Sequence, residues 1–571
     1  MIVDQETARP RYFVRSLLIL FSSAFVIRVI GILWGGVHPD EKISISVRAL
    51  AGQLIPTDHY YPPLLYYLNA ISFAVMFAIG RLTGVWFGLD DFRAQYFQNP
   101  APFELSARLV TAALAATSAP LAALVAQRLR VSWKSCLFIG LLVALLPPQV
   151  LLSHVSKSDA PLCSALLLVV WTFLAGRDAP CSRSEAIGFG ASIALAFSFK
   201  QSALFLVVPL FFGFIILTLG RGLGWLQVVR RALLVCFTIV VVWMPLNIGI
   251  LLDLRNFLEY QDVQSQMSSR DSSLPDALRT WFFLLSSIQD GATLPAVLMW
   301  LLVPAVCRDR RTLWVWGASA GAMLMVAAIT GPRQHSGLLL PYSVVVVVLG
   351  GVTAARLIEG SRRWRFAGVI ALSAMLLCTT IGTLDVLEQA LRLPMARLVG
   401  NAIVEIPGSD STKILASLPP SAAIERVLSV SSEVTKAERE REERLAREYG
   451  VTLPPFAPDR VEGRSVTGEG YFIYRMPWVI GGLEVYDEKD VRVVKPFSWP
   501  LQKEEYELGY WLDRGFSIFL LSNEENILNS PIPAYRQRYQ QIRERCQLFR
   551  EIPPQKPLFF DDTVRIYHDC R

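Results

Sequence analysis

The sequence is poor in charge. Of its 571 residues, 18% are Asp, Glu, Lys or Arg, where a water-soluble chain carries about 25%. The charge present is unevenly placed. Up to about residue 384 the chain is a series of apolar runs, and the remainder is charged. A wholly soluble enzyme is excluded, and a polytopic membrane protein followed by one soluble domain is implied. The domain boundaries read as 1–384 and 385–571. The net charge of +7 is scattered over loops rather than gathered in a basic stripe, which speaks against a nucleic-acid partner. No internal repeat is visible, so the two matched halves of many transporters are missing. There is no Asp-x-Asp motif of the kind that holds a metal against a nucleotide sugar. Gly220-x-Gly222-x-Gly224 has no strand before it and is not a nucleotide fingerprint.

Cysteine and histidine are scarce too. None of the eight cysteines has metal-ligand spacing. Six fall in apolar runs or their inner loops. Cys546 and Cys570 fall in the charged C-terminal part, where an oxidising exterior permits a disulfide, two free thiols being the alternative. No Asn-x-Ser/Thr sequon follows residue 385, which is consistent with a bacterial periplasm.

What is there is a topology. Eleven apolar runs lie between residues 12 and 384, and six arginine- or lysine-rich clusters separate them. The positive-inside rule puts all six clusters in the cytoplasm, so an even number of crossings must divide each from the next. Two consequences follow. The run Leu64–Ile79 cannot cross, and reads as a helix along the outer surface anchored by Tyr66 and Tyr67. The run 186–219 must cross twice, with a break near Lys200. The first run is too long for a cleavable signal and lacks a small-residue cleavage site. The expected fold is mainly α: a membrane helix bundle of about eleven spans with outer-surface helices, and a C-terminal exoplasmic α/β domain. In that domain Lys413–Leu418, Phe516–Ser522 and Val564–Tyr567 read as strands and Tyr535–Arg545 as a helix. Ser431–Tyr449 reads as a charged, solvated helix and Leu453–Pro458 as a Pro-rich linker.

On this topology the residues capable of chemistry gather outside. His38–Pro63 follows the first run directly and holds the adjacent carboxylates Asp40 and Glu41. Asp40 reads as a general base or as the cap of a helix beginning at Glu41, and the two are compatible. Glu41 reads as its partner or as an interfacial charge. Asp159 positions a reacting group, orients a cation, binds a metal or caps a helix. Lys200 and Arg333 either fix an anion or snorkel to the headgroups. His335 and Arg270 are further cations of this kind. His59, Tyr60 and Tyr61 take part in a binding site or anchor at the interface. Arg28, inside the first run, reaches up to the headgroup phosphates or to the same site. His38, Asp40, Glu41, His154 and Asp159 supply enough ligands for a divalent metal, which is permitted but not required.

These stretches resemble a known family. His38-Pro39-Asp40-Glu41 after the first run, then Tyr61-Pro62-Pro63-Leu64, resembles the first outer loop of the C-type (GT-C fold) integral-membrane glycosyltransferases. The branch is the protein-O-mannosyltransferase-like group, which includes the lipid A aminoarabinose transferases. In order, Glu104–Leu109, Leu152-Ser153-His154 with Asp159, Phe199–Leu204 and Gly331–His335 before Pro341 resemble that family's later segments. The resemblance covers about the first 350 residues. It implies a polyprenyl-phosphate-linked sugar as donor, a lipid, glycan or protein hydroxyl as acceptor, membrane lipid as surroundings, and no required cofactor. It implies Asp40, Glu41 and Asp159 as the catalytic set, and Lys200, Arg333, His335, His59, Tyr60 and Tyr61 at the donor phosphate. The implied location is a cell membrane, bacterial inner membrane, with the C-terminal domain in the periplasm. The alternative from the same residues is a flippase for a lipid-linked sugar, which would need polar groups at the midplane.

Overall fold

The computed structural model describes residues 11–34, 38, 40–56, 59–98, 100–175, 182–220, 222–268, 273–330, 336–360, 362–407, 412–416, 472–475, 484–487, 490–493, 507–522, 524–529, 533–559 and 562–571. Two compact units are distinguished. Met1–Ile32, Pro39–Met76 and Pro102–Glu388 make the first; Leu33–His38, Phe77–Ala101 and Gln389–Arg571 make the second.

The chain is mostly helical. Among the described residues seven helices are long and apolar enough to cross a membrane: Leu64–Leu82, Ala101–Arg128, Gln201–Leu219, Trp225–Leu246, Arg310–Ile329, Gly337–Glu359 and Arg362–Leu391. Counting the bent pair Trp133–Ala144 and Pro147–Ser153 as one span gives eight. The protein is therefore a multi-pass membrane protein. Leu64–Leu82, expected along the outer surface, is by its 19 residues and apolarity itself long enough to cross. Asp159–Ala175, expected to cross, is apolar but shorter. Of the seven, the helix most enclosed by protein is Gly337–Glu359, whose valines 344–348 are all buried. A helix apolar all round belongs in such a place. At Gly350 an added Cβ would lie 2.6 Å from the Ala296 carbonyl oxygen, so the backbones approach too closely there for any other residue.

The expected break at Lys200 is present. Arg183–Phe199 ends at Lys200, which is extended, and a short 3-10 turn Gln201–Ala203 starts the next helix. A second break shapes the bundle more strongly. Trp133–Ala144 stops before Pro147-Pro148, and Pro147–Ser153 resumes at 54°. Proline cannot donate to the turn before it, so carbonyls are released inside the helix bundle, away from water. Arg28 takes them up. It donates to Ala144 O at 3.1 Å, Val143 O at 3.5 Å, Ala24 O at 2.9 Å and Gln149 Oε1 at 3.1 Å. The expectation that Arg28 reaches up to a phosphate is corrected here: it is fully buried and bound to the carbonyls of the break. Arg28→Met is therefore expected to cost about 3 kcal/mol, because the freed carbonyls lose their donor. A lower thermal midpoint in detergent checks it, and an unchanged midpoint would show another donor for those carbonyls.

The second unit contains a five-stranded sheet. With β1 Lys413–Ala416, β2 Phe472–Arg475, β3 Glu484–Asp487, β4 Asp490–Val493, β5 Phe516–Ser522, β6 Gln547–Ile552 and β7 Val564–His568, its order is β2-β1-β5-β7-β6. β1 is parallel to both β2 and β5, and β7 is antiparallel to β5 and β6. Strands β3 and β4 form a separate antiparallel pair. Side chains alternate faces along a strand, and the packing follows that alternation. Ile414, Ile518, Leu520, Val564 and Ile566 pack with the helix Met395–Val404. Leu415, Phe519, Leu521 and Tyr567 pack with residues of Leu508–Leu512 and Pro533–Arg545. Cys546 and Cys570 are paired in a disulfide. Lys556 is buried and donates to Trp34 O at 2.5 Å and Ala390 O at 3.2 Å, and the Trp34 and Phe559 rings pack at 5.2 Å. The α/β expectation holds. Ser431–Tyr449 and Leu453–Pro458 lie outside the described residues.

Candidate active site

The first unit brings two carboxylates, two ammoniums and a phenol from four stretches of the chain to one place. Asp40 precedes the helix Ile43–Leu50, Tyr61 precedes the helix beginning at Leu64, Asp159 opens the helix Asp159–Ala175 with Lys157 two residues before it, and Lys200 stands at the break. Lys157 Nζ lies 2.7 Å from Asp40 Oδ2 and 3.3 Å from Asp159 Oδ2. Lys200 Nζ lies 2.5 Å from Asp159 Oδ1. The groups thus alternate in sign along a chain: Asp40, Lys157, Asp159, Lys200. The Tyr61 hydroxyl donates to Asp40 Oδ2 at 3.4 Å, and its ring centre lies 5.9 Å from the Lys157 ammonium and 5.5 Å from that of Lys200. Such a ring attracts both cations and lets them approach each other.

Burial divides the carboxylates by what they can do. The Asp159 side chain is 0% exposed and the Asp40 side chain 28% exposed. Only Asp40 is open to an incoming molecule. Burial pulls the Lys157 ammonium towards neutrality, but Asp159 and Asp40 oppose it more strongly, and the net direction is upward, so Lys157 stays charged. Burial, then Asp159 and Asp40, push the Tyr61 phenol well above its ordinary range, and it stays a donor.

A second pair holds this cluster. Arg108 donates from Nε to Glu41 Oε1 at 2.8 Å and from Nη2 to Glu41 Oε2 at 2.7 Å, a two-bonded fork. Arg108 also donates to Ile32 O at 3.1 Å. Glu41 Oε1 accepts the Ser156 N–H at 2.8 Å, and Asn69 Nδ2 donates to Ser156 Oγ at 3.1 Å. Ser156 is the residue before Lys157. The pair therefore fixes the buried turn 154–158 that aims Lys157 at Asp40. Glu41, grouped with the catalytic residues on the resemblance, has its carboxylate taken up in this fork.

The other expected residues are placed as follows. Asp40 does not cap the following helix: Lys42 stands at that position, without a side-chain cap bond. His59 is buried, and its Nε2 lies 2.8 Å from Asp253 Oδ2, with Phe257 and Tyr260 edge-on at 6.0 and 5.9 Å. The His59 hydrogen bond, more than opposing desolvation, holds the Asp253 carboxyl below its usual range. Tyr60 meets the Tyr61 ring edge-on at 4.8 Å. Both ring nitrogens of His154 face carbonyl oxygens, Val150 O and Ile30 O, at 2.7 Å each. Among the described residues no three His, Cys, Asp or Glu side chains are grouped to hold a metal. Arg333, His335 and Arg270 lie outside the described residues. Lys157 was missed as a site residue, although its place two residues before Asp159 was visible in Ser153-His154-Val155-Ser156-Lys157-Ser158-Asp159.

The comparisons with known proteins bear on this arrangement. Residues 56–258 match the family model of dolichyl-phosphate-mannose-protein mannosyltransferase. The resemblance to the C-type glycosyltransferases is borne out over that segment, which contains Tyr61, Arg108, Lys157, Asp159 and Lys200. No curated protein matches the chain. Among solved structures, apo ArnT from Cupriavidus metallidurans is 12% identical, with 97% of each chain covered and a TM-score of 0.49. ArnT from the same organism bound to undecaprenyl phosphate is 14% identical, covering 76% of this chain and 89% of that one, with a TM-score of 0.47. The Archaeoglobus fulgidus oligosaccharyltransferase AglB, in complex with an inhibitory peptide and a dolichol-phosphate, is 11% identical. That match covers 77% of this chain and 69% of that one, with a TM-score of 0.42.

Proposed function

We propose that the protein transfers a sugar from a polyprenyl-phosphate carrier to a hydroxyl of a lipid, glycan or protein acceptor at the outer membrane face. The observation that carries this reading is the chain Asp40–Lys157–Asp159–Lys200, buried except for the partly exposed Asp40 carboxylate. The family match over residues 56–258 supports it.

The chemistry asked of these groups is modest. Asp40 accepts the proton of the acceptor hydroxyl. The acceptor oxygen forms the new bond to the anomeric carbon from the face opposite the phosphate. The bond from that carbon to the phosphate oxygen breaks, and its electron pair leaves with the polyprenyl phosphate. One displacement inverts the configuration. Phosphate is already a good leaving group, so the second carboxylic acid that a glycosidase needs is not required. The negative charge that grows on the phosphate calls for fixed cations beside it, and Lys200, with Arg333 and His335, takes that part. Tyr61 fixes Asp40 and the lysines. In this reading Glu41 holds the site together from behind. Residues 1–384 form the transferase domain and 385–571 an exoplasmic domain. The Cys546–Cys570 pair supports an oxidising compartment, the periplasm of a bacterial inner-membrane protein.

Membranes containing the full chain, supplied with a polyprenyl-phosphate pool labelled in the sugar, are expected to make a labelled product whose sugar has lost the lipid phosphate. Movement of intact labelled lipid across the bilayer with no such product would overturn the reading in favour of a flippase.

A further inference from the structure

Lys200 is a swivel between two helices. It is extended, with φ −160° and ψ 137°, where Arg183–Phe199 ends and the turn Gln201–Ala203 begins. A residue at such a place absorbs changes of angle between the elements it joins. Any such change moves the Lys200 ammonium, which lies 2.5 Å from Asp159 Oδ1 and 5.5 Å from the centre of the Tyr61 ring. The pair with Asp159 fixes the end of a flexible four-carbon stem but not its root.

Two side chains from other helices hold the root. Before the swivel, Asn247 Nδ2 donates to Ser198 Oγ at 2.7 Å. Asn247 is fully buried and stands between the helices Trp225–Leu246 and Ile248–Leu252. After the swivel, the Tyr342 hydroxyl donates to Ser202 O at 2.7 Å. Tyr342 is 1% exposed and belongs to Ser336–Glu359, the most enclosed of the long apolar helices. Its hydroxyl is therefore a fixed point against which the turn after Lys200 is set. The proline break has a matching contact: the Thr383 hydroxyl donates to Leu145 O at 2.7 Å. That break bears none of the four charged groups of the site.

We propose that Tyr342 is a positioning residue for the donor phosphate: its hydroxyl, with Asn247 on the other side, stops the swivel at Lys200 and so presents the Lys200 ammonium where the phosphate binds. The inference rests on the reading above, which makes Lys200 a cation for that phosphate, and it adds the group that places it. A lysine placed beforehand spares the donor the cost of ordering that side chain on binding.

The measurement is polyprenyl phosphate affinity, with thermal midpoint, of the purified full chain in detergent. The variants are Tyr342→Phe, Lys200→Gln, Tyr342→Phe/Lys200→Gln and Thr383→Val. Phenylalanine removes one hydroxyl and no charge, so the attraction of the phosphate to the site as a whole is untouched. Tyr342→Phe is expected to weaken binding by about tenfold, and in the Lys200→Gln background by no more than about twofold, because its effect passes through Lys200. Thr383→Val deletes the same kind of bond at the same length and is expected to lower the midpoint as Tyr342→Phe does, while leaving affinity within about twofold of wild type. That comparison uses neutral substitutions and does not depend on Lys200→Gln folding.

Three results would each overturn the positioning role. Unchanged binding in Tyr342→Phe would show that Asp159 alone places Lys200. An equal loss with and without Lys200 would show that the hydroxyl acts elsewhere. An equal loss in Thr383→Val would reduce the effect to general stability. All three leave the transferase reading intact, provided the wild type binds the lipid and Lys200→Gln weakens that binding. If Lys200→Gln binds as the wild type does, Lys200 is not the phosphate's cation, and that part of the reading falls together with this inference. A wild-type chain that binds no polyprenyl phosphate overturns both.

Discussion

Asp40→Asn is expected to lower the turnover of sugar transfer by about 10²–10⁴-fold, the share a general base contributes. The chain should stay folded and bind donor at least as well as the wild type. Asparagine keeps an oxygen for the Lys157 ammonium and for the Tyr61 hydroxyl, now at 2.7 and 3.4 Å from Asp40 Oδ2. What it lacks is a group that takes a proton. The effect therefore belongs in kcat and not in KM. Asp159 cannot stand in for Asp40. It is fully buried and lies between two ammoniums, whereas the Asp40 side chain is 28% exposed. Single-turnover transfer of labelled sugar by purified protein checks this. A mutant rate within a factor of a few of wild type would remove Asp40 as the base and leave the acceptor's proton to solvent.

Much of this site was legible in the sequence because its members interrupt apolar patterns. Lys200 divides a run too long for one span, and a charge in that position needs a partner in the membrane region. Asp40 and Asp159 each stand where an apolar stretch meets a loop. The same kind of signal located Phe516–Ser522, a continuous apolar run that the structure makes a strand over the same residues. Where the pattern is weak the reading was incomplete. β6, Gln-Leu-Phe-Arg-Glu-Ile, is an edge strand with mostly exposed side chains and no apolar run to announce it. Tertiary pairing left no trace at all. Glu41 and Arg108 are 67 residues apart, and only the fold shows that they form one fork. Nor does the sequence show that the His59 ring lies on Asp253, 194 residues on. Arg28 looked like a group reaching for the membrane surface. The proline break that occupies it lies more than a hundred residues away.

The fork between Glu41 and Arg108 carries the second large effect. Both side chains are almost wholly buried, at 1% and 2% exposure. Removing one charge leaves the other unpaired in a low-dielectric setting, a loss of about 3–5 kcal/mol. Arg108→Met is therefore expected to leave little folded protein in detergent. Replacing both partners separates stability from positioning. Glu41→Met/Arg108→Met removes the uncompensated charge, and exchanging a buried pair for apolar side chains is often neutral or stabilising by about 1–4 kcal/mol. The double variant should then recover much of the lost folded yield. It should not recover transfer, because Glu41 also accepts the Ser156 N–H, and that bond sets the turn bearing Lys157. Folded yield by size-exclusion chromatography, read beside transfer rate, gives the comparison. Recovery of both would show that the turn keeps its shape without Glu41. Recovery of neither would place the fork in the folding of the bundle as a whole. Recovery of yield alone is the expected result, and it would separate the fork's part in folding from the part Glu41 plays in transfer.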